Sequence, residues 1–145
     1  MSDFRKLSGN VWASPQITVA DIAEAAKLGV TLVVNNRPEN ESEDQTPGVE
    51  IEAAARAAGM DYRAIPVTMQ SLSQKDVAAM GEALGHARGP VLAYCRSGTR
   101  STLLWSLAQA ARGEDPAAIA DAAAAAGYDV SPVRAAMDAL AAQAG

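Results

Sequence analysis

Apolar residues in this chain come in short unbroken runs, separated by longer stretches in which they recur at helical spacing. The runs at residues 31–35 (Thr-Leu-Val-Val-Asn) and 91–94 (Val-Leu-Ala-Tyr) show no polar alternation, as expected of strands covered on both faces of a parallel sheet. Residues 62–67 predict a third strand, with Pro66 marking its end or a sheet edge, and residues 11–14 a short fourth. Thr18, with Asp21 in the first turn, opens a helix whose apolar face is Ile22, Ala25, Ala26 and Leu28 and which Gly29 ends. Residues 48–58 predict a second helix, stopped by Gly59. Ser73 with Asp76 opens a third, reaching to about Ala87, and a fourth covers about 99–112. Asp115-Pro116 and Ser131-Pro132 each read as an N-cap followed by proline at the first helical position, which predicts two more helices. The alanine-rich stretch 117–126 favours helix but packs thinly. The alternation predicts an α/β fold: a central, mostly parallel sheet of about four or five strands wrapped by helices. Ligands of such sheets bind beyond the carboxyl ends of the strands. That rule brings three stretches to one mouth: the polar, acidic loop after Asn35, the loop after Val67, and the segment that begins at Cys95.

The 145 residues are 49% hydrophobic and 20% charged, which fits one folded domain spanning residues 1–145. A net charge of −5 argues against a nucleic-acid partner, which wants a basic face. No segment approaches the ~18 apolar residues of a membrane span, and the N-terminus has no apolar signal region. A lone cysteine forms no internal disulfide, so a reducing, cytoplasmic setting is the expectation. No His, Cys and carboxylate cluster has metal-ligand spacing, and neither metal nor other cofactor is expected.

The chemistry concentrates in Cys95-Arg96-Ser97-Gly98-Thr99-Arg100-Ser101, between an apolar strand and a helical pattern. Gly98 permits a backbone with positive φ. The first amides of the following helix lack intrahelical partners and carry its positive dipole end. A curled loop of inward amides there is a cradle for an oxyanion, and the same field favours thiolate over thiol at Cys95. Arg100 supplies a guanidinium fork for two anion oxygens, and the Ser101 hydroxyl is placed to hydrogen-bond the sulfur. Arg96 binds the anion or only raises the local potential, while Ser97 and Thr99 bind the anion or only shape the loop. Arg37, at the same mouth, contacts substrate or pairs with the acids of its own loop, Glu39, Glu41, Glu43 and Asp44. His86, at a helix end, reads as a solvated or capping side chain, and Trp12 and Trp105 as core.

The loop resembles the active loop of single-domain rhodaneses, which are sulfurtransferases and have the same six residues from cysteine to arginine. It also resembles the signature loop of tyrosine and dual-specificity phosphatases, which has one residue more. The stretches 17–22, 29–39 and 57–67 resemble the phosphatase-like domain of beta-lactamase-hydrolase-like proteins, and the similarity runs from about Val11 to the C-terminal helices. That resemblance implies a dual-specificity-phosphatase-like fold. In several proteins of the family the domain is joined to a metallo-hydrolase-fold domain linked to persulfide oxidation, a second domain that is not expected within these 145 residues.

Dual-specificity phosphatases supply a general-acid aspartate from a loop whose counterpart here, residues 68–73, has no carboxylate; the nearest is Asp76, at a helix start. Ester hydrolysis wants a protonated leaving oxygen, whereas sulfite or a thiolate leaves without one. The leading expectation is therefore a sulfurtransferase carrying a persulfide on Cys95, fed by thiosulfate or a low-molecular-weight persulfide and relieved by an external thiol acceptor. The alternative is a phosphatase working through a cysteinyl-phosphate, with Glu41, Glu43, Asp44 or Asp76 as a possible acid. A further alternative is a non-catalytic sensor of anions or phospho-ligands.

Overall fold

A computed structural model describes residues 2–144. In chain order the elements are β1 (Arg5–Lys6), β2 (Val11–Ser14), α1 (Val19–Lys27), β3 (Leu32–Asn35), α2 (Gly48–Ala57), β4 (Asp61–Ala64), α3 (Gln74–His86), β5 (Val91–Tyr94), α4 (Thr99–Ala111), α5 (Pro116–Ala125), a 3-10 turn at Ser131–Val133 and α6 (Arg134–Ala144). The strands lie in the order β1-β2-β5-β3-β4. All neighbours are parallel except β1, which pairs antiparallel with β2. β5 is in the middle, and β4, the strand before Pro66, is an edge.

Side chains alternate across the sheet and divide the core in two. Val33, Leu92 and Tyr94 point to one face and meet Ile22 and Ala25 of α1 and Ile51 and Ala55 of α2. Leu32, Val34, Val91 and Ala93 point to the other and meet α3, α4 and, behind them, Ile119, Ala123 and Met137 of α5 and α6. α4 is enclosed nearly all round: every residue from Ser101 to Ala108 is buried. Its Leu-Leu-Trp-Ser-Leu-Ala sequence has no polar face to offer water, so it lies between the sheet and three other helices.

The elements depart from expectation in four places. The third strand ends at Ala64, although Ile65 and Val67 still donate to the carbonyls of Asn35 and Asn36, at 2.9 and 3.0 Å. Pro66 between them has no N–H to continue the ladder. Ala26 and Leu28 are exposed, because α1 reaches the sheet only through Ile22 and Ala25 and Leu28 already caps its end. β1 escapes sequence reading: it is two charged residues long, a form in which edge strands resist further pairing. Ser131 starts a 3-10 turn and is not the N-cap of a longer helix, since the Asp129 carboxylate accepts its N–H at 2.9 Å. Trp105 is core as expected, while Trp12 is half-buried beneath Lys6, whose ammonium lies 5.6 Å from the ring centre.

Leu92 is fully buried in the middle of the central strand. Leu92→Ala is expected to lower unfolding stability by about 2–5 kcal/mol in urea denaturation; a loss under about 1 kcal/mol would contradict the two-sided packing of β5.

Candidate active site

The parallel strands end level with one another. Tyr94 pairs with Ser14 on one side and Asn35 on the other, and Asn35 pairs with Ala64. Four loops therefore leave the sheet at one height. Backbone bonding continues past the strands and ties the loops together: Cys95 N–H donates to Ser14 (3.3 Å), Asn36 N–H to Tyr94 (2.8 Å) and Gln16 N–H to the Arg96 carbonyl (3.2 Å).

Cys95 is fully buried at the foot of this arrangement. The chain then turns through Gly98, which has φ +92° and caps the N-terminus of α4. Two constraints demand glycine there. The left-handed backbone is one. The other is Tyr128, since a Cβ on Gly98 would lie 2.8 Å from the Tyr128 ring carbon that bears the hydroxyl. The Gly98 N–H donates to the Cys95 sulfur at 3.1 Å. The sulfur thus faces both a backbone donor and the positive end of a helix of 13 residues.

The other loop residues divide into those that shape and those that anchor. Ser97 Oγ donates to Thr99 Oγ1 at 3.0 Å and accepts the Thr99 N–H at 3.3 Å, so both hydroxyls shape the turn, and the Thr99 amide is spent there instead of facing the cradle. Arg96 is exposed. Ser101 does not bond the sulfur as expected: its Oγ donates to Asn36 Oδ1 at 2.8 Å. The reason is that Asn36 is itself fully buried and needs its side-chain acceptor satisfied. Its Nδ2 donates to the Ile65 carbonyl at 2.9 Å. Asn36 therefore joins the start of α4 to the ends of β3 and β4. The sequence signal for it was a polar pair, Asn35-Asn36, closing an otherwise apolar strand.

The two arginines converge on Glu41. Arg100 forks onto it, with Nη1 to Oε2 and Nη2 to Oε1 both 2.8 Å, and Nη1 also donates to the Val67 carbonyl at 3.0 Å. Arg37 donates from Nε to Glu41 (2.9 Å), from Nη1 to Gln16 (2.9 Å) and from Nη2 to Ser42 (3.2 Å). Arg37 is buried and paired with its own loop, one of its two expected roles. The hydrogen bonds from Arg100, seconded by those from Arg37, outweigh partial burial and hold the Glu41 carboxyl down at about 2. In return Glu41 pushes the Arg100 guanidinium up, with the Cys95 sulfur acting in the same sense.

With both arginines paired to it, Glu41 is an ionised brace between its own loop and α4. Of the other candidate carboxylates, Asp76, Glu39 and Asp44 are engaged elsewhere. Asp76 accepts the Ser73 N–H (3.1 Å) at the start of α3, and Glu39 accepts the Gly48 N–H (2.9 Å) at the start of α2. The hydroxyl of Ser42 holds Asp44 below the usual range. Glu43 is exposed in the same loop. His86 is exposed at the end of α3, as expected.

Residues 3–112 match the family described as beta-lactamase hydrolase-like protein, phosphatase-like domain. The chain belongs to this family. It is 36% identical over 98 residues to the beta-lactamase hydrolase-like protein of Agrobacterium fabrum, an alignment covering 68% of this chain and 23% of that protein. The chain thus spans less than a quarter of the length of that curated relative. Among solved structures, a provisionally named phosphatase from Neisseria meningitidis is 35% identical, with TM-score 0.85 and coverage of 97% of this chain and 99% of that one. Human DUSP28 has TM-score 0.66 at 17% identity, covering 99% and 95% of the two chains, a likeness of fold alone. The dual-specificity-phosphatase-like fold and the family expected from sequence are both found, and the names of these neighbours fall on the phosphatase side, not that of sulfur transfer.

The Glu41 brace carries a pH signature. Its folded value, about 2, lies below the ordinary 4.5, so its contribution to stability is complete above the ordinary value and is lost as pH falls from about 4.5 towards 2. Glu41→Gln is expected to be less stable than wild type at neutral pH, with the two urea midpoints converging over that acid window. A gap that persists unchanged to about pH 2 would show that the carboxylate's charge is not what holds the two arginines.

Proposed function

We propose that this domain is a cysteine-dependent phosphatase acting on esters whose alcohol leaves without being protonated, such as aryl phosphates. The observation that carries this reading is the Gly98 N–H aimed at the Cys95 sulfur, at the N-terminus of α4, with Arg100 in the first turn of the same helix. In this reading Cys95 attacks phosphorus as the thiolate, the P–O bond breaks with its electron pair going to the leaving oxygen, and a cysteinyl-phosphate results. Water then attacks that intermediate and restores the thiolate. Backbone amides and Arg100 stabilise the charge on the transferring oxygens. Glu41 now takes the two Arg100 nitrogens that phosphate oxygens would use, so a bound dianion displaces this pairing. Family membership and the 35% identical neighbour named as a phosphatase support the reading.

One observation favours a second reading. Residues 68–73 offer no carboxylate to protonate a leaving oxygen. Sulfur transfer needs no acid: the Cys95 thiolate attacks the outer sulfur of thiosulfate, the S–S bond breaks, and sulfite departs with the electron pair. An external thiol must then take the sulfur, because the chain has one cysteine.

Turnover of aryl phosphates with good and poor leaving groups separates these. The phosphatase reading expects activity that Cys95→Ser abolishes, and a fall of about a hundredfold or more from good to poor leaving groups, the scale of a missing general acid. Equal turnover of both would reveal an acid that the geometry does not provide. No turnover of either, together with one added sulfur on wild type but not Cys95→Ser after thiosulfate treatment, would transfer the assignment to sulfur. Phosphate binding without either activity would mark a sensor.

A further inference from the structure

Tyr128 lies beyond the segment that matches the family, yet it touches the nucleophile loop. The chain delivers it there by the way α5 ends. Gly127, at φ +93°, reverses the backbone; its N–H returns to the Ala124 carbonyl, and the Tyr128 N–H to that of Ala123, both at 2.9 Å. This double bond-back fixes the residue that follows the helix. The Tyr128 ring then lies against the Gly98 backbone, with the Arg5 guanidinium 5.1 Å from its centre. Its hydroxyl donates to the Ser97 carbonyl at 3.1 Å.

The Ser97 carbonyl and the Gly98 N–H belong to one peptide plane. That peptide is trans, so the two groups point in opposite directions. One end of the plane is held by Tyr128, and the other donates to the Cys95 sulfur at 3.1 Å. Glycine on one side of this plane allows it to rotate more freely than any other residue would. We infer that Tyr128 is a positioning residue for Cys95: by holding the outer carbonyl it keeps the inner N–H turned toward the sulfur. The C-terminal helices thus take part in the site through one phenol. The inference rests on Cys95 being the nucleophile proposed above, but not on the identity of the substrate.

The charged and titratable groups around this contact are few. Arg100 of α4 and Tyr128 are close enough to feel the charge of the sulfur. Arg5 covers Tyr128 and is paired with Asp3 at 3.1 Å. Burial pushes the Tyr128 phenol up, the Cys95 sulfur adds to this, and Arg5 opposes it; the balance keeps the phenol a donor through the neutral range.

The test is Tyr128→Phe, which keeps the ring and its packing. The readout is the ultraviolet absorbance of the Cys95 thiolate against pH, taken as a difference from the same protein with Cys95→Ser; one cysteine makes the difference unambiguous. The expected result is a midpoint raised by about one pH unit relative to wild type, the scale of weakening one charge-assisted hydrogen bond, with thermal unfolding little changed. Replacement of Tyr128 by 4-aminophenylalanine, a weaker donor on the same ring, is expected to fall between the two. A folded Tyr128→Phe protein whose titration superimposes on wild type overturns the inference. If that variant does not fold, the 4-aminophenylalanine protein is judged by the same criterion. The measurement uses no substrate, so its failure is separable from failure of the phosphatase reading.

Discussion

Cys95 occupies its position because β5 is hydrogen-bonded on both sides. With Ser14, Tyr94 and Asn35 level, the residue after Tyr94 cannot drift, and its own N–H extends the pairing to Ser14. Everything at the mouth is measured from that fixed point: the turn at Gly98, the entry into α4, and the Asn36 amide that receives Ser101. Apolar burial supplies the rigidity. Leu92 and Ala93, just before the cysteine, are sealed on opposite faces of the sheet, and a close-packed interior leaves such a strand little freedom to shift.

Charge organises the same region by another route. The loop at residues 36–47 carries four of the 17 acidic residues, but Glu41 does not simply face solvent. It gathers Arg37 from its own loop and Arg100 from α4, while Arg100 reaches the Val67 carbonyl and Arg37 reaches Gln16. One carboxylate thereby connects all four loops of the mouth. Bidentate arginine pairing gives this geometry as well as charge.

Much of this was legible in the sequence. Unbroken β-branched and apolar runs marked β3 and β5 as doubly covered, and the caps at Thr18, Ser73 and Asp115 located three helix starts. Cys95, Gly98 and Arg100 were recognisable as a group because they are neighbours in the chain. What stayed hidden depends on distance in sequence. Proximity along the chain points Ser101 to the sulfur, whereas its partner is Asn36, 65 positions away. Tyr128 meets Ser97 across 31 positions, after a helix whose alanines give no hint of where its end will point. Arg37 lies at the expected mouth, but only the folded loop reveals its bonds to Glu41, Gln16 and Ser42.

The immersion of α4 divides the mouth into unequal halves. Its eight consecutive sealed residues, Ser101 to Ala108, make the nucleophile's side of the site a part of the core. The facing segment, from Glu39 to Pro47, is mostly surface and is braced largely by its own side chains. Change is thus better tolerated at the exposed positions of that strip, around the fixed points Glu39 and Glu41, while the same degree of change in α4 would dismantle the fold itself.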